Sequence, residues 1–188
     1  MKSKRILIYR LTPLENMGIA ATLLGLITGI RNCMPDAEIV VTSYIPNKYK
    51  YLEKKGIKLV QHPWWRPWGK MWPLSLVILI PYDQYDVVID NNTEYLKDEL
   101  YGSFSVTISL LQTYFARVIL GRPLATTPSS VGPFKTRLNK WLARQILNKV
   151  DLLALREESN YGYCIQLGLN KSNVYFVSDP GFLMPPIG

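Results

Sequence analysis

The stretch DLLALREESNYGYCIQLG, Asp151 to Gly168, decides how the chain is read. Asp151 to Leu155 is a short apolar strand, Arg156 to Ser159 a charged turn, and the remainder a helix that stops at Gly168, where a left-handed C-terminal cap belongs. Ser159 suits the start of that helix, because its hydroxyl oxygen can accept a bond from a free backbone N–H. Strand, turn and glycine-stopped helix make one βα unit. Small polar residues are enough for such a turn, so Arg156 calls for a partner or a ligand of its own.

The same alternation runs outward in both directions. Strand-like RILIYR is followed by helical GIAATLLGLITGIRN, EIVVTS by NKYKYLEKKG, and then comes a short IKLV. Beyond a tryptophan-rich segment come DVVID, helical SVTISLLQTYFARVIL, strand-like PLATTP, helical TRLNKWLARQILNK, the opening βα unit and NVYFV. Nearly all-apolar strands separated by helices predict βαβ units and a parallel sheet buried on both faces. The expected fold class is therefore α/β, a Rossmann-like parallel sheet flanked by helices. Gly56 and Gly168 are the predicted left-handed caps. The α/β unit is expected over residues 1–182, and 183–188, with Pro185 and Pro186, as the start of an interdomain linker whose second domain is absent.

Composition bounds the chemistry. The chain has 188 residues, 48% of them hydrophobic, enough for one ordinary core. Lys+Arg 22 against Asp+Glu 14 leaves a net charge of +8, which favours anionic partners without choosing among nucleic acid, phosphorylated ligand and lipid. Cys33 and Cys164 have no CxxC spacing, and His62 stands alone, so no metal site is expected; both thiols are read as reduced and buried in a cytoplasmic protein. No apolar run reaches the ~20 residues of a spanning helix, and no signal peptide is read at the N-terminus.

In an open α/β sheet ligands lie beyond the carboxyl ends of the strands. After the first strand, Asn16 and Gly18 precede a helix whose free N–H groups suit an anion or a sugar hydroxyl, or form an ordinary capped turn. After DVVID, Asn91 and Asn92 tolerate left-handed backbone angles, and Glu94, Asp98 and Glu99 are open to sugar hydroxyls or to solvent, with Glu99 read as solvated. Ser129, Ser130 and Gly132 make a small-residue loop in which a ligand can approach the backbone or Gly132 and Pro133 simply turn the chain. No GxGxxG dinucleotide fingerprint is present.

SSVGPF, then a basic helix, then VDLLALREESNYGYCIQLGL and NVYFVSDPGFLM resemble the polysaccharide pyruvyl transferase family, with its GxSIGPF-type loop, its aDxixvRdexSxxxLxxLG run and its DPaFLL-type segment. DVVIDNNTEYLKDELYG is similar to the family's GGD-containing segment, with Asn92, Thr93 and Glu94 at the Gly, Gly and Asp positions. ENMGIAA is similar to NxGDeA, with Ile19 replacing the acid. The resemblance implies the N-terminal, acceptor-side half of a GT-B-like enzyme that moves pyruvate from phosphoenolpyruvate onto a cell-surface saccharide as a ketal. Phosphoenolpyruvate is then a co-substrate and no cofactor is implied; much of its site would lie in the missing C-terminal domain, so this segment alone is expected to be inactive. The substrate-binding candidates are Asn16, Gly18, Asn92, Glu94, Ser130, Gly132, Arg156, Glu157 and Asp179, with no residue assigned as catalyst. Arg156, at the end of what reads as a central strand, either forks onto a carboxylate or phosphate or braces the loop through Asp179 or Glu157.

The segment from Trp64 to Trp72 interleaves indoles with Arg66 and Lys70, and its prolines make it a loop. It reads as a loop folded on the sheet edge or as a peripheral contact with the inner face of a membrane, where a lipid-linked saccharide acceptor would be met. No nucleic-acid motif accompanies the positive charge, and nucleic acid is not an expected partner. Two other readings share the pattern: half of a GT-B nucleotide-sugar glycosyltransferase, and a non-catalytic saccharide- or membrane-binding module.

Overall fold

A strand with apolar residues on both faces must be covered on both sides, and β1 (Arg5–Leu11) shows how this chain does it. The structure is a computed structural model that describes residues 3–11, 14–43, 45–61, 82–91 and 96–184. In β1, Leu7 and Tyr9 face one layer, Ile6 and Ile8 the other, and none of the four is more than 1% exposed. β2 (Glu38–Ser43), β3 (Ile57–Gln61), β4 (Val87–Asp90) and β5 (Leu124–Thr126) join it in a parallel sheet of order β3-β2-β1-β4-β5. Ile6 is in register with Ile39 of β2 and Val87 of β4.

β6 (Leu153–Leu155) and β7 (Val174–Phe176) form a further parallel pair. Bridges from Ala125 to Leu152 and from Ser129 to Leu155 dock this pair beside β5, and the Thr126 N–H donates to the Leu152 carbonyl at 2.9 Å. β6 thus lies between β5 and β7, toward the end of the run. This corrects the expectation of a central strand, because an apolar pattern identifies a buried strand but not its place in the order.

α1 (Met17–Cys33) and a 3-10 helix, Pro46–Lys55, cover one face: Leu23, Ile27, Ile30 and Leu52 pack with Ile6, Ile8, Val41 and Ile89. On the other face lie α2 (Asp98–Tyr101), α3 (Ser103–Tyr114), α4 (Arg137–Leu147) and α5 (Glu158–Gln166). There Val106, Leu110, Ala143, Ile146 and Cys164 pack with Leu7, Val88, Leu124 and Leu153.

Gly56 (φ 70°) and Gly168 (φ 88°) have the left-handed angles expected of helix caps. Three local expectations change. α3 passes at Phe115–Ile119 into a π-helical turn, with the Leu120 N–H reaching the Phe115 carbonyl at 3.0 Å. α5 starts at Glu158, so the exposed Ser159 lies within its first turn and is not the cap; Glu157 holds that position without a side-chain bond. Cys33 is exposed at the end of α1, whereas Cys164 is buried and burial pushes its thiol up to about 12; both are free. Among the described residues no helix is long and apolar enough to cross a membrane.

A last 3-10 turn, Pro180–Leu183, lies across α1. Contact is close enough that a Cβ on Gly25 would sit 1.7 Å from the Pro180 carbonyl oxygen, so only glycine fits there.

Candidate functional site

Four segments that follow strand ends meet along one rim. Asn16 caps α1 after β1, its side-chain oxygen accepting the N–H groups of Gly18 (3.0 Å) and Ile19 (3.4 Å). One turn on, the Thr22 hydroxyl is shared between the Gly18 carbonyl (3.0 Å) and Asp179 Oδ1 (3.1 Å). Asp179, beyond β7, also accepts the Gly181 N–H at 2.8 Å and, through Oδ2, Arg156 Nη1 at 3.2 Å. Arg156 follows β6; its Nη2 lies 3.9 Å from Glu157 Oε1, which accepts the Ser130 hydroxyl at 3.0 Å. A continuous polar chain therefore runs Ser130, Glu157, Arg156, Asp179, Thr22 and on to the turn of Asn16 and Gly18.

Of the two readings of Arg156, the bracing partners Asp179 and Glu157 are both in place. Between them the Arg156 side chain is half-buried, keeping 34% of its exposure. Ser130 is 1% exposed and lies beneath the rim. Gly132 (φ 71°) is buried as well: a Cβ there would come within 2.3 Å of Tyr163 Cε1, so its open side is occupied by the Tyr163 ring and not offered to a ligand. Asn92 and Glu94, His62 and the Trp64 to Trp72 segment lie outside the described residues.

The loop carrying Ser130 and Gly132 is clamped by Asn160 and Tyr163, which the sequence did not single out, and by Asp98. Asn160 of α5 accepts the Val131 N–H (2.7 Å) and donates to the Val131 carbonyl (2.8 Å). Tyr163 Oη accepts the Phe134 N–H at 3.0 Å. Asp98 is only 4% exposed: it accepts the Lys135 N–H at 2.6 Å, the Thr136 N–H at 3.3 Å and Asn139 Nδ2 at 2.9 Å. Asp98 is thus a buried clamp and not a surface acid, whereas Glu99 is exposed and 3.6 Å from Lys135 Nζ.

Beneath the rim, at the carboxyl ends of the adjacent strands β1 and β4, lies a buried polar knot. Arg10 has φ 67°, an unusual left-handed angle for a non-glycine residue, beside a register irregularity in β1. With that angle Arg10 reaches the same layer as Tyr9: Tyr9 Oη donates to Asp90 Oδ2 at 2.7 Å, and Arg10 Nη2 lies 3.4 Å from the same oxygen. Thr113 of α3 adds a bond at 3.1 Å. Burial raises the Asp90 carboxyl above its ordinary value, against the opposing pull of Arg10, Tyr9 and Thr113; burial also lifts Tyr9 well above the usual tyrosine range.

An apolar cavity of about 430 Å³ lies on the α1 side, walled by Leu26, Ile89, Ala125, Leu152, Ala154 and Leu183. That wall does not suit a polyhydroxylated ligand, whereas the carboxylates and hydroxyls of the rim do. Among the described residues no cluster of three His, Cys, Asp or Glu is placed to hold a metal.

The family model for polysaccharide pyruvyl transferase matches residues 16–188, which includes every rim residue described above. The chain belongs to the polysaccharide pyruvyl transferase family. No curated protein matches it in sequence. Among solved structures it is similar to Anabaena HepE in complex with UDP and glucose, at TM-score 0.55 and 17% identity over 94% of this chain and 44% of that one. The complex of HepE with UDP-glucose gives TM-score 0.55 and 18% identity with the same shares. A Listeria monocytogenes protein provisionally assigned as a UDP-N-acetylglucosamine 2-epimerase gives TM-score 0.57 and 13% identity over 93% of this chain and 45% of that one. At such identities the likeness shows the fold: a Rossmann-like α/β unit of the GT-B kind. The pyruvyl transferase family chain spans less than half the length of these structures.

Proposed function

We propose that this chain is the acceptor-side half of an enzyme that transfers pyruvate from phosphoenolpyruvate to two hydroxyls of a saccharide, forming a ketal and releasing phosphate. The observation that carries the reading is the rim, where Glu157, Arg156 and Asp179 alternate acid, base and acid across the carboxyl ends of the strands within a chain of this family. The reaction needs a proton delivered to the enol carbon, stabilisation of the resulting cationic centre, and acceptance of protons from the attacking hydroxyls. Glu157 and Asp179 suit the acceptor hydroxyls, and the half-buried Arg156 suits the carboxylate or phosphate of phosphoenolpyruvate. Asn16 and Gly18 flank this position at the start of α1, and Asn92 and Glu94 are further candidates for binding the acceptor. Ser130 and Gly132 support it from below.

On this reading the second half of the enzyme completes the phosphoenolpyruvate site, and the whole acts on cell-envelope or exopolysaccharide precursors at the cytoplasmic face of a membrane, with the Trp64 to Trp72 segment as one contact. The chain alone is expected to release no phosphate from phosphoenolpyruvate with free or lipid-linked oligosaccharide; turnover by this chain alone overturns the two-half account. In the two-half protein, Arg156→Lys is expected to weaken phosphoenolpyruvate binding by more than it lowers Tm, and a large Tm loss with unchanged binding would leave Arg156 as a brace only. A nucleotide sugar is the second reading, favoured by the likeness to HepE bound to UDP-glucose. Titration of the two-half protein with UDP-glucose and with phosphoenolpyruvate separates the two.

A further inference from the structure

We propose that the outer faces of α3 and α4 form a docking surface for an anionic lipid bilayer. α4 turns Asn139, Ala143, Ile146 and Leu147 inward. At ~100° per residue the outward part divides into two flanks, with Leu138 and Trp141 on one and Arg137, Lys140 and Arg144 on the other. Arg144 lies against the end of α5, where a Cβ on Gly168 would come within 2.9 Å of its Nε, so the basic flank faces α5. The apolar flank therefore faces α3, which is held alongside by bonds from Asn139 Nδ2 to the Ser103 carbonyl (2.9 Å) and from the Thr107 hydroxyl to Asn139 Oδ1 (2.7 Å).

That arrangement gathers Phe104, 67% exposed, with Leu138 at 56% and Trp141 at 59%. α4 carries no acid, and among the described residues Arg137, Lys140 and Arg144 have no acidic partner within ion-pair distance. Glu99, the nearby exposed acid, is already opposite Lys135. An indole, a phenyl ring and a leucine beside long cationic chains match the boundary between headgroups and acyl chains, where the apolar parts enter and the cations stay with the phosphates. The patch is the outside of two packed helices and not a groove, and a bilayer is a partner that needs no complementary shape. A nucleic-acid duplex would answer the charge but, with its bases already stacked on one another, leave Trp141 and Phe104 without a role, and a protein partner would have to match the shape of a convex surface. Because α4 follows directly from the Ser130 to Phe134 loop, docking here brings the polar rim alongside the headgroups.

The test is co-sedimentation of the full chain with vesicles of phosphatidylcholine alone or mixed with an equal share of phosphatidylglycerol, followed also by tryptophan emission. Wild type is expected to bind the mixed vesicles, to show a blue shift, and to come off as salt rises. The surface variant Arg137→Gln/Lys140→Gln/Arg144→Gln is expected to bind roughly 100-fold more weakly, from three charges of similar weight. Trp141→Ser is expected to lose part of the blue shift and to bind the mixed vesicles more weakly; all four positions are exposed, and an unchanged circular dichroism spectrum and Tm check that the variants fold. Wild type ignoring the mixed vesicles at low salt, or equal binding by the triple variant, overturns the proposal. So does binding lost only in a Trp64→Ala/Trp65→Ala/Trp68→Ala variant, which would place the contact elsewhere. Equal affinity for a short DNA duplex, unaffected by Trp141→Ser, would show charge alone at work and equally refute it.

Discussion

Replacing Asp98 by alanine tests the idea that the geometry of the Ser130 to Thr136 loop is set from below by one buried carboxylate. The two short bonds of Asp98, to the Lys135 N–H at 2.6 Å and Asn139 Nδ2 at 2.9 Å, are charge-assisted, and the bond to Thr136 at 3.3 Å is weaker. Bonds to a charged acceptor contribute about 1.5–3 kcal/mol each, so losing both short ones and the weak third is expected to cost about 4 kcal/mol. For a chain of this size that lowers Tm by about 8–16 °C, at ~2–4 °C per kcal/mol. Asp98→Asn keeps the volume and one acceptor oxygen and is expected to lose about half as much. Urea denaturation followed by circular dichroism gives the free energies, and hydrogen exchange at Lys135 and Thr136 reports the loop directly. If Asp98→Ala unfolds within about 1 kcal/mol of wild type and Lys135 exchanges no faster, the carboxylate is not the clamp.

Two further outcomes are expected. Gly25→Ala puts a methyl group 1.7 Å from the Pro180 carbonyl and is expected to destabilise by about 1–3 kcal/mol; at Gly29 the nearest atom is the movable Leu183 Cδ1 at 3.3 Å, so Gly29→Ala is expected to be neutral or mildly stabilising in the same urea titration. Burial raises Asp90 above 3.8 in the fold, so the folded chain keeps a proton the unfolded chain has released; that contribution is complete below 3.8 and is lost as pH rises through the folded value. Asp90→Asn is expected to remove this part of the pH dependence, seen as a flatter urea midpoint against pH than in wild type, and an identical profile in the two proteins would contradict it.

The α/β alternation was legible because the strands are mostly apolar runs and two of the helices stop at the glycines Gly56 and Gly168. The pairing of Arg156 with Asp179 was within reach too, since both lie at ends of consecutive βα units. What escaped depends on distance in space. Arg10 and Asp90 come from strands that neighbour only after the sheet has formed, and nothing local marks Arg10 as the residue that turns left-handed. Asp98 and Glu99 look alike as letters, but the start of α4 closes over one and not the other. Asn160 reads as an ordinary helix residue until the Val131 peptide is placed against it. Strand order is hidden for the same reason, and so β6 read as central.

The seating of Pro180 in the notch at Gly25 has a consequence for how the chain folds. Thr22 and Asp179, which seal that contact, are 157 positions apart in the chain. α1 emerges early in synthesis, but its partner follows only after those 157 positions; at ~5–20 residues per second the wait is roughly 8–30 s. During that interval the notch and its apolar surroundings on α1 stand open, and closing so long a loop comes late on the folding path. The first helix of this unit therefore gains its partner long after it is made, and crowding or chaperone capture during synthesis would act first on α1.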